Sequence, residues 1–162
     1  MEFRRENNPL YVTVNKALAG LSEKAKEKLQ QVIVDIDEDV YFKHDMDWTA
    51  EAISNIIKNS IEHTNNYGQI KISYGQIKIS CEETPISLTI SIKDNGEGIP
   101  EKLQNKIFER FYKGENSVNP SSIGIGLSLT KSIIESQNGS IIVESEMGEG
   151  TEFIITFLKT IV

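Results

Sequence analysis

Four polar side chains recur at every fourth position along one stretch of the sequence and could hold a metal ion. They are Glu51, Asn55, Asn59 and His63. In a helix this spacing places them in one line. Amide oxygens in such a line can bind Mg²⁺ without adding negative charge that would repel a phosphate. A solvated helix face gives the same pattern and, taken alone, is the simpler interpretation.

A second group follows an apolar strand and reads Asp94-Asn95-Gly96-Glu97-Gly98-Ile99-Pro100. An aspartate at the end of a strand can present its carboxylate to a pocket, and the glycines allow a close backbone approach to a ligand. A calcium loop is excluded, because Gly96 and Gly98 stand where the third and fifth positions need oxygen ligands. An ordinary loop between a strand and a helix is the remaining alternative.

A third group, Gly124-Ile125-Gly126-Leu127, leads into a helix that carries Lys131. Glycines at the start of a helix expose backbone N–H groups that can hold a phosphate. The sequence contains no Gly-x-x-x-x-Gly-Lys-Ser/Thr pattern, so this segment is not a P-loop. Two glycines of this kind are weak evidence by themselves.

A fourth group lies between the second and the third, from Phe108 to Gly114. Its aromatic residues could anchor a lid, with Arg110 and Lys113 reaching a phosphate. A small satellite core is the alternative interpretation of the same aromatic residues.

The elements that must position these groups follow from apolar periodicity. It predicts helices over about 15–30, 47–64 and 127–137, the second capped by Asp47 and the third ending at Asn138-Gly139. It predicts strands at 32–34, 40–42, 86–93, 140–146 and 151–158, and residues 11–14 also favour a strand. This order predicts a two-layer α+β fold with a largely antiparallel sheet.

The segment 67–73 is repeated at once as 74–80. Since seven is odd, one unbroken strand would place the isoleucines of the two copies on opposite faces. Either one copy is extruded, or a two-residue turn at Tyr74-Gly75 forms a hairpin that pairs Ile72 with Ile77. A tandem duplication without function is the simpler interpretation.

Composition excludes several classes of protein. The 162 residues carry a formal charge of −7, which argues against nucleic acid as the main partner. Cys81 is the only cysteine, so neither an internal disulfide nor a cysteine-based zinc cluster can form, and a reducing, cytosolic setting fits best. The sequence contains no run of 18 apolar residues, so it predicts no transmembrane helix. Its N-terminus does not resemble a secretory signal.

The order and spacing of the four groups resemble the catalytic ATP-binding domain of sensor histidine kinases, in the GHKL superfamily. Residues 55–64 resemble its N box, 94–99 its G1 box, 107–114 its F box and 124–129 its G2 box, and 148–151 resemble its closing Gly-x-Gly-Thr segment. The resemblance covers about 15–159. It implies a Bergerat-type α/β sandwich with helices on one face of a mixed sheet. Residues 1–14 are then a lead-in, 15–162 the domain and about 101–123 an ATP lid.

The resemblance also implies residue roles. Asp94 would accept a hydrogen bond from the adenine amino group, and Asn59, with Asn55 beside it, would ligate Mg²⁺. Asn55, Asn59 and Arg110 are the expected catalytic residues. The expected ATP contacts are Asn55, Asn59, His63, Asp94, Gly96, Gly98, Ile99, Phe108, Lys113, Gly124, Ile125, Gly126, Leu127 and Thr151.

The N box favours a kinase over a hydrolase. The ATPase branch that resembles gyrase, Hsp90 and MutL, and the anti-sigma serine kinases, place a general-base glutamate where this chain has Asn55. An amide cannot take a proton, and a histidine acceptor needs less help. We therefore expect transfer of the ATP γ-phosphoryl to a histidine on a separate dimerisation domain, since neither His44 nor His63 fits the acceptor motif. A response regulator is the expected indirect partner.

Two other functions remain as alternatives: a non-catalytic nucleotide- or partner-binding module, and an anti-sigma-type serine/threonine kinase. The expected location is cytoplasmic, within a parent protein that could be membrane-anchored, with no nucleic acid partner and no direct membrane contact.

Overall fold

The computed structural model describes residues 1–64, 75–110 and 126–159. Its strands are β1 (Glu6–Pro9), β2 (Gln30–Asp35), β3 (Tyr41–His44), β4 (Gly75–Glu83), β5 (Ser87–Asp94), β6 (Gly139–Glu146) and β7 (Gly150–Leu158). Its helices are α1 (Leu10–Leu18), α2 (Leu21–Glu27), α3 (Met46–His63), α4 (Glu101–Gln104) and α5 (Gly126–Glu135). None of the helices in these ranges is both long and apolar enough to cross a membrane.

The main sheet has the strand order β2-β4-β5-β7-β6, and a separate two-stranded sheet joins β1 to β3. β2 runs parallel to β4, while the other neighbours are antiparallel. Alternate residues of the central strands are buried, as expected for a sheet covered on one face. The predicted two-layer sandwich with a mixed sheet is therefore confirmed.

Helix α3 is the central helix of the helical layer. Its fully buried stripe consists of Ala52, Ile53, Ile56 and Ile57. The predicted N-cap at Asp47 is wrong, because the extended residue Asp45 caps the helix and its Oδ1 accepts from the backbone N–H of Trp48 at 2.9 Å. Asp47 lies inside the first turn and pairs with Lys16.

The N-terminal helix differs from its prediction at both ends. Helix α1 begins at Leu10, so residues 11–14 are helical and not extended. Gly20, in the left-handed conformation with φ 81°, separates α1 from α2. Leu10 and Val14 are fully buried in the common core. Part of the lead-in predicted at 1–14 thus packs into the same core as the rest of the domain.

The repeated segment supplies one strand of the sheet. The second copy, from Gly75, begins β4, where Ile77 pairs with Val32 of β2 on one side and with Asp94 of β5 on the other. Both edges of β4 are occupied, which leaves no edge for the hairpin, one of the two alternatives for this segment. The first copy, 67–73, lies outside the described residues.

His44 lies just after the strand predicted at 40–42, but in the structure it ends β3 and is fully buried. Its Nε2 lies 2.7 Å from Thr13 Oγ1 and its Nδ1 2.9 Å from the Phe42 carbonyl oxygen. The ring stacks on Phe42 with 3.8 Å between the centroids. Burial lowers the pKa of His44 to about 4, although the Phe42 carbonyl and Asp45 act in the opposite direction.

Candidate functional site

Asp94 is the buried carboxylate of the site. It ends β5, and only 4% of its surface is exposed. Its Oδ1 accepts from the backbone N–H of Gly96 at 2.9 Å and of Thr151 at 3.3 Å. Burial raises the pKa of the carboxyl, while the two hydrogen bonds oppose that rise. The strand register places Thr151 directly opposite Asp94, so the sheet itself sets this geometry.

Ser60 is a site residue that sequence reasoning missed. It is fully buried, and its Oγ has no hydrogen-bond partner of normal length within 1–64, 75–110 and 126–159. The hydroxyl is near enough to Asp94 to lower the pKa of that carboxyl. The available signal was its position, because Ser60 follows Ile56 and Ile57 by four and three residues and so falls on the buried face of α3. A buried hydroxyl without a partner beside a buried carboxylate is suited to a polar ligand or a water.

The two glycines after Asp94 are required by packing. A Cβ on Gly96 would lie 2.2 Å from the His63 carbonyl oxygen, and one on Gly98 would lie 2.4 Å from the Glu146 carbonyl oxygen. Gly98 also has φ +84°, which other residues rarely adopt. These glycines let the loop pass closely between α3 and β6. Their expected contact with ATP stays a prediction.

His63, the last residue of α3, contacts the same loop. Its carbonyl oxygen accepts from the backbone N–H of Glu97 at 3.2 Å, and its Nδ1 lies 3.3 Å from Glu97 Oε1. The ring is about one-third exposed, so the ion pair is open to solvent. The N box and the G1 box therefore meet at His63 and Glu97, a partner that the sequence analysis did not single out.

Asn55 joins α3 to the start of α5. Its Nδ2 donates to the Gly126 carbonyl oxygen at 3.1 Å. One turn further along α5, Thr130 Oγ1 donates to the Ala52 carbonyl oxygen at 3.2 Å. Helices α3 and α5 are therefore joined by two hydrogen bonds. Asn59 is half-buried one turn after Asn55 on α3. Asn55 of the N box and Gly126 of the G2 box thus lie together, and Leu127 is half-buried against the core.

A second set of hydrogen bonds fixes the loop after Gly98. The backbone N–H of Ile99 donates to Ser145 Oγ at 2.7 Å, and that oxygen lies 2.9 Å from Thr151 Oγ1. Gln104 Nε2 donates to the carbonyl oxygens of Ile99 and Ser145 at 3.0 and 3.1 Å. Ser145 and Gln104 were not predicted, and no local motif marks either of them.

Phe108 packs against the core at the end of the described loop. Its ring meets Phe153 edge to face at 6.2 Å between centroids, and Lys131 Nζ lies 5.7 Å from its centroid. Arg110 is exposed. Three expected ATP contacts lie outside the described residues: Lys113, Gly124 and Ile125.

The described parts of the chain hold no group of three or more His, Cys, Asp or Glu side chains that could bind a metal ion. A metal here would depend on amide oxygens and on the ligand's own phosphates. Such a mixed set is typical of Mg²⁺, which keeps several waters and takes few protein ligands. The half-buried amide of Asn59 fits that role.

Comparisons with known proteins identify the family and the fold. A family model described as histidine kinase-, DNA gyrase B-, and HSP90-like ATPase matches residues 44–161. Sensor protein SrrB of Staphylococcus aureus (strain NCTC 8325 / PS 47) is 35% identical in an alignment that covers 91% of this chain and 26% of SrrB. The chain therefore spans about a quarter of this relative's length.

Two solved structures show the same fold at higher coverage. The nucleotide-free catalytic domain of the histidine kinase ThkA has a TM-score of 0.80 and 28% identity, covering 99% of this chain and 97% of that domain. ThkA in complex with the response regulator protein TrrA has a TM-score of 0.76 and 25% identity, covering 98% of this chain and 42% of ThkA.

The sequence boxes, the fold and the family match lead to one assignment. The model match includes α3, Asp94, α5 and all of β7, which are the elements that build the site. The chain belongs to the histidine kinase-, DNA gyrase B-, and HSP90-like ATPase family, as a catalytic ATP-binding domain of the sensor histidine kinase type.

Proposed function

We propose that this domain binds Mg-ATP between α3, Asp94 and the start of α5, and supplies the γ-phosphoryl group to a histidine on a separate dimerisation domain. The observation that carries the proposal is the Asp94 carboxylate, buried at the end of β5 beside the Ser60 hydroxyl, which has no hydrogen-bond partner of normal length among the described residues. Both backbone hydrogen bonds to Asp94 are accepted by Oδ1, and a carboxylate can accept more than two, so Asp94 and Ser60 together can bind a polar ligand.

The adenine end of the nucleotide is proposed to lie at Asp94. An acceptor at this point takes a hydrogen bond from the adenine amino group, and a base with a carbonyl at the same position would leave two acceptors facing each other. Thr151, held by Ser145, borders the same carboxylate. Asp94 and Thr151 are each at least 95% buried, so water competes little for contacts with them.

The phosphate end is proposed to lie along Asn55 and Asn59, toward the start of α5. An amide that donates through its nitrogen, as Asn55 does to Gly126, keeps its oxygen as an acceptor. The oxygen of Asn59 would ligate Mg²⁺, and the ion would neutralise the charge that develops on the phosphates. The exposed Arg110 and the N-terminus of α5 are proposed to support the same charge.

The proposed reaction is attack of a neutral imidazole nitrogen on the γ-phosphorus, with ADP as the leaving group. Asn55 supports a histidine acceptor, because an amide hydrogen-bonded to a carbonyl cannot serve as a general base for a serine hydroxyl or for water. Catalysis would therefore rest on positioning and on charge neutralisation.

The whole protein is proposed to be a two-component sensor kinase. SrrB is a sensor protein, and ThkA has been solved with a response regulator. By this likeness a phosphoacceptor domain is the direct partner, and a response regulator receives the phosphoryl group afterwards. The ATP-dependent domain is expected to face the cytoplasm, where ATP is available.

The test is calorimetric titration of the chain with ATP in the presence of Mg²⁺. We expect saturable one-to-one binding that weakens more than about tenfold in Asp94→Asn, because the amide puts a donor opposite the adenine amino group. Asp39→Asn, an exposed acid in the turn before β3, is the matched control and should bind as the wild type does.

Addition of a phosphoacceptor domain in trans separates the alternatives. Labelling of its histidine from ATP supports the kinase, whereas binding without labelling favours a non-catalytic module. Labelling of a partner on serine favours the anti-sigma type. A folded wild-type chain that binds no nucleotide would contradict the proposal.

A further inference from the structure

The C-terminal end of helix α3 lacks a local stop signal. Helices commonly end at a glycine in the left-handed conformation, whose backbone N–H satisfies the last carbonyls. Here the helix ends at His63, and the next residue, Thr64, is extended and almost fully buried. The carbonyl groups of the last turn must therefore find partners elsewhere in the molecule.

Two side chains from one distant junction supply those partners. Lys28 Nζ donates to the Ile61 carbonyl oxygen at 2.5 Å and to that of Glu62 at 3.4 Å. Gln30 Nε2 donates to the Ile61 oxygen at 3.0 Å and to the Thr64 oxygen at 2.8 Å. Lys28 and Gln30 flank the turn between α2 and β2, more than 30 positions before the helix end that they cap.

The charge and burial of these two residues suit the role. The ammonium group of Lys28 lies at the negative end of the α3 dipole, where a cation is favourable. Burial lowers the pKa of Lys28, and Glu62 opposes that shift. Gln30 is only 7% exposed, so its amide forms these hydrogen bonds away from most solvent.

The residue between them adopts a costly backbone conformation. Leu29 has φ 54°, in the left-handed region that leucine rarely enters, and its side chain is half exposed. Such a conformation persists where surrounding contacts determine it. Leu29 is held locally, because its backbone N–H donates to the Lys26 carbonyl oxygen at 2.9 Å. Both of its neighbours are in addition held on the end of α3.

The capped turn carries the nucleotide-facing residues of α3. Asn59 and Ser60 lie just before Ile61, and His63 lies just after Glu62. We propose that Lys28 and Gln30 are positioning residues of the nucleotide site, which hold the last turn of α3 so that Asn59 and His63 face the ligand. This inference rests on the proposed function, and neither residue belongs to any of the sequence boxes that resemble the family.

The test compares Lys28→Met and Gln30→Met, which keep side-chain length but cannot donate, with Lys24→Met on the exposed face of α2. Mg-ATP affinity is measured by calorimetry at a temperature where circular dichroism shows every variant folded. We expect the Kd to rise about fivefold or more in Lys28→Met and Gln30→Met, and to stay within twofold of wild type in Lys24→Met. Lys28→Arg, which can still donate, should recover most of the affinity.

A second readout does not need nucleotide. The chain has two histidines, and only His63 is at the proposed site. We expect the ring proton resonances of His63 to move in Lys28→Met and to stay in place in Lys24→Met, while those of the buried His44 are unchanged in both. If Gln30→Met does not fold, Lys28→Met carries the test, since Lys28 is only half-buried.

The outcomes separate the two proposals. Wild-type binding together with unchanged affinity and unchanged His63 resonances in Lys28→Met overturns the positioning role and leaves the nucleotide site standing. A wild-type chain that binds no Mg-ATP overturns the nucleotide site, and the positioning role with it. Lower thermal stability in Lys28→Met with unaltered affinity shows a purely structural cap, which also overturns the inference.

Discussion

The backbone N–H of Asp45 donates to the side-chain oxygen of Gln137 over 2.8 Å, although the two residues are 92 positions apart. The Nε2 of the same Gln137 side chain donates to Thr49 Oγ1 at 3.1 Å. Asp45 in turn caps α3 and accepts from the backbone N–H of Arg4 at 2.7 Å. One fully buried side chain thus joins the end of α5, the start of α3 and, through Asp45, the N-terminal segment.

Replacement of Gln137 by leucine should destabilise the fold strongly. The apolar side chain would leave the Asp45 N–H and the Thr49 hydroxyl buried without partners, at a cost of about 1–3 kcal/mol for each unpaired group. We expect the free energy of unfolding in urea to fall by about 2–4 kcal/mol. Gln31→Leu, at an exposed position of β2, should change it by less than about 0.5 kcal/mol.

Gly150 and Gly148 should respond differently to alanine. A Cβ on Gly150 would lie 2.0 Å from the Asp94 carbonyl oxygen, and φ is +136°. A Cβ on Gly148, at φ +84°, would meet no described atom within 4 Å. We expect Gly150→Ala to cost more than about 3 kcal/mol in urea unfolding, and Gly148→Ala about 1 kcal/mol from backbone strain alone. Equal losses would show that the contact with Asp94 does not matter.

His44 should make stability depend on pH. Its pKa falls from the ordinary value of 6.5 to about 4 in the folded protein, so the unfolded chain takes up the proton first as the pH falls. The stabilisation is present above pH 6.5 and is lost as the pH drops toward 4, by about 3 kcal/mol in all. Urea unfolding of the wild type and of His44→Gln at several pH values checks this.

The quantity to compare is how steeply the free energy of unfolding changes with pH, and not the free energy itself. His44→Gln loses the stacking on Phe42 and should be less stable throughout. Its unfolding free energy should nevertheless vary less between pH 6.5 and 4 than that of the wild type. Parallel curves would show that other groups cause the pH dependence.

Asp94→Asn should not reduce stability at neutral pH. Burial raises the folded-state pKa of the carboxyl, so ionisation disfavours the folded state, and this penalty disappears as the pH falls through the folded pKa. The amide is neutral at every pH, and its oxygen can still accept from Gly96 and Thr151. We expect an equal or higher midpoint of thermal unfolding at pH 8, with an advantage that shrinks as the pH falls toward 3.8, the ordinary pKa of an aspartate.

A clear fall in that midpoint at pH 8 would contradict the prediction. It would mean that the two backbone hydrogen bonds to the ionised carboxylate stabilise the fold more than burial of the charge destabilises it.

Local periodicity predicted most of the regular elements. The alternation in β5 and β7 and the apolar stripe of α3 reflect a sheet and a helix that are each buried on one side, which is a property of the sequence around each residue. The predictions that were wrong depended on distant contacts. Asp45 and not Asp47 caps α3, and the backbone N–H of Asp45 is held by Gln137, 92 positions away. β4 pairs with β2 on one edge and with β5 on the other.

The residues of the candidate site show the same difference between local sequence patterns and contacts between distant positions. The sequence boxes place Asn55 and Asp94 on elements that the structure brings to one region, because each box lies beside a regular element whose type is locally specified. Ser60, Ser145 and Gln104 were missed, since their roles come from what lies opposite them in the fold. Lys28 follows the last residue of a different helix, α2, and nothing near it in the sequence indicates the end of α3.

The register of β5 against β7 has a consequence for synthesis of the chain. Thr151 follows Asp94 by 57 positions, so β5 leaves the ribosome well before the strand that completes its pairing. At about 5–20 residues per second this interval lasts several seconds. During it the nascent protein carries an open strand edge at β5, with the apolar side chains Leu88, Ile90 and Ile92, and the proposed nucleotide site is incomplete. We therefore expect the nascent chain to be a candidate for chaperone binding before it can bind a nucleotide.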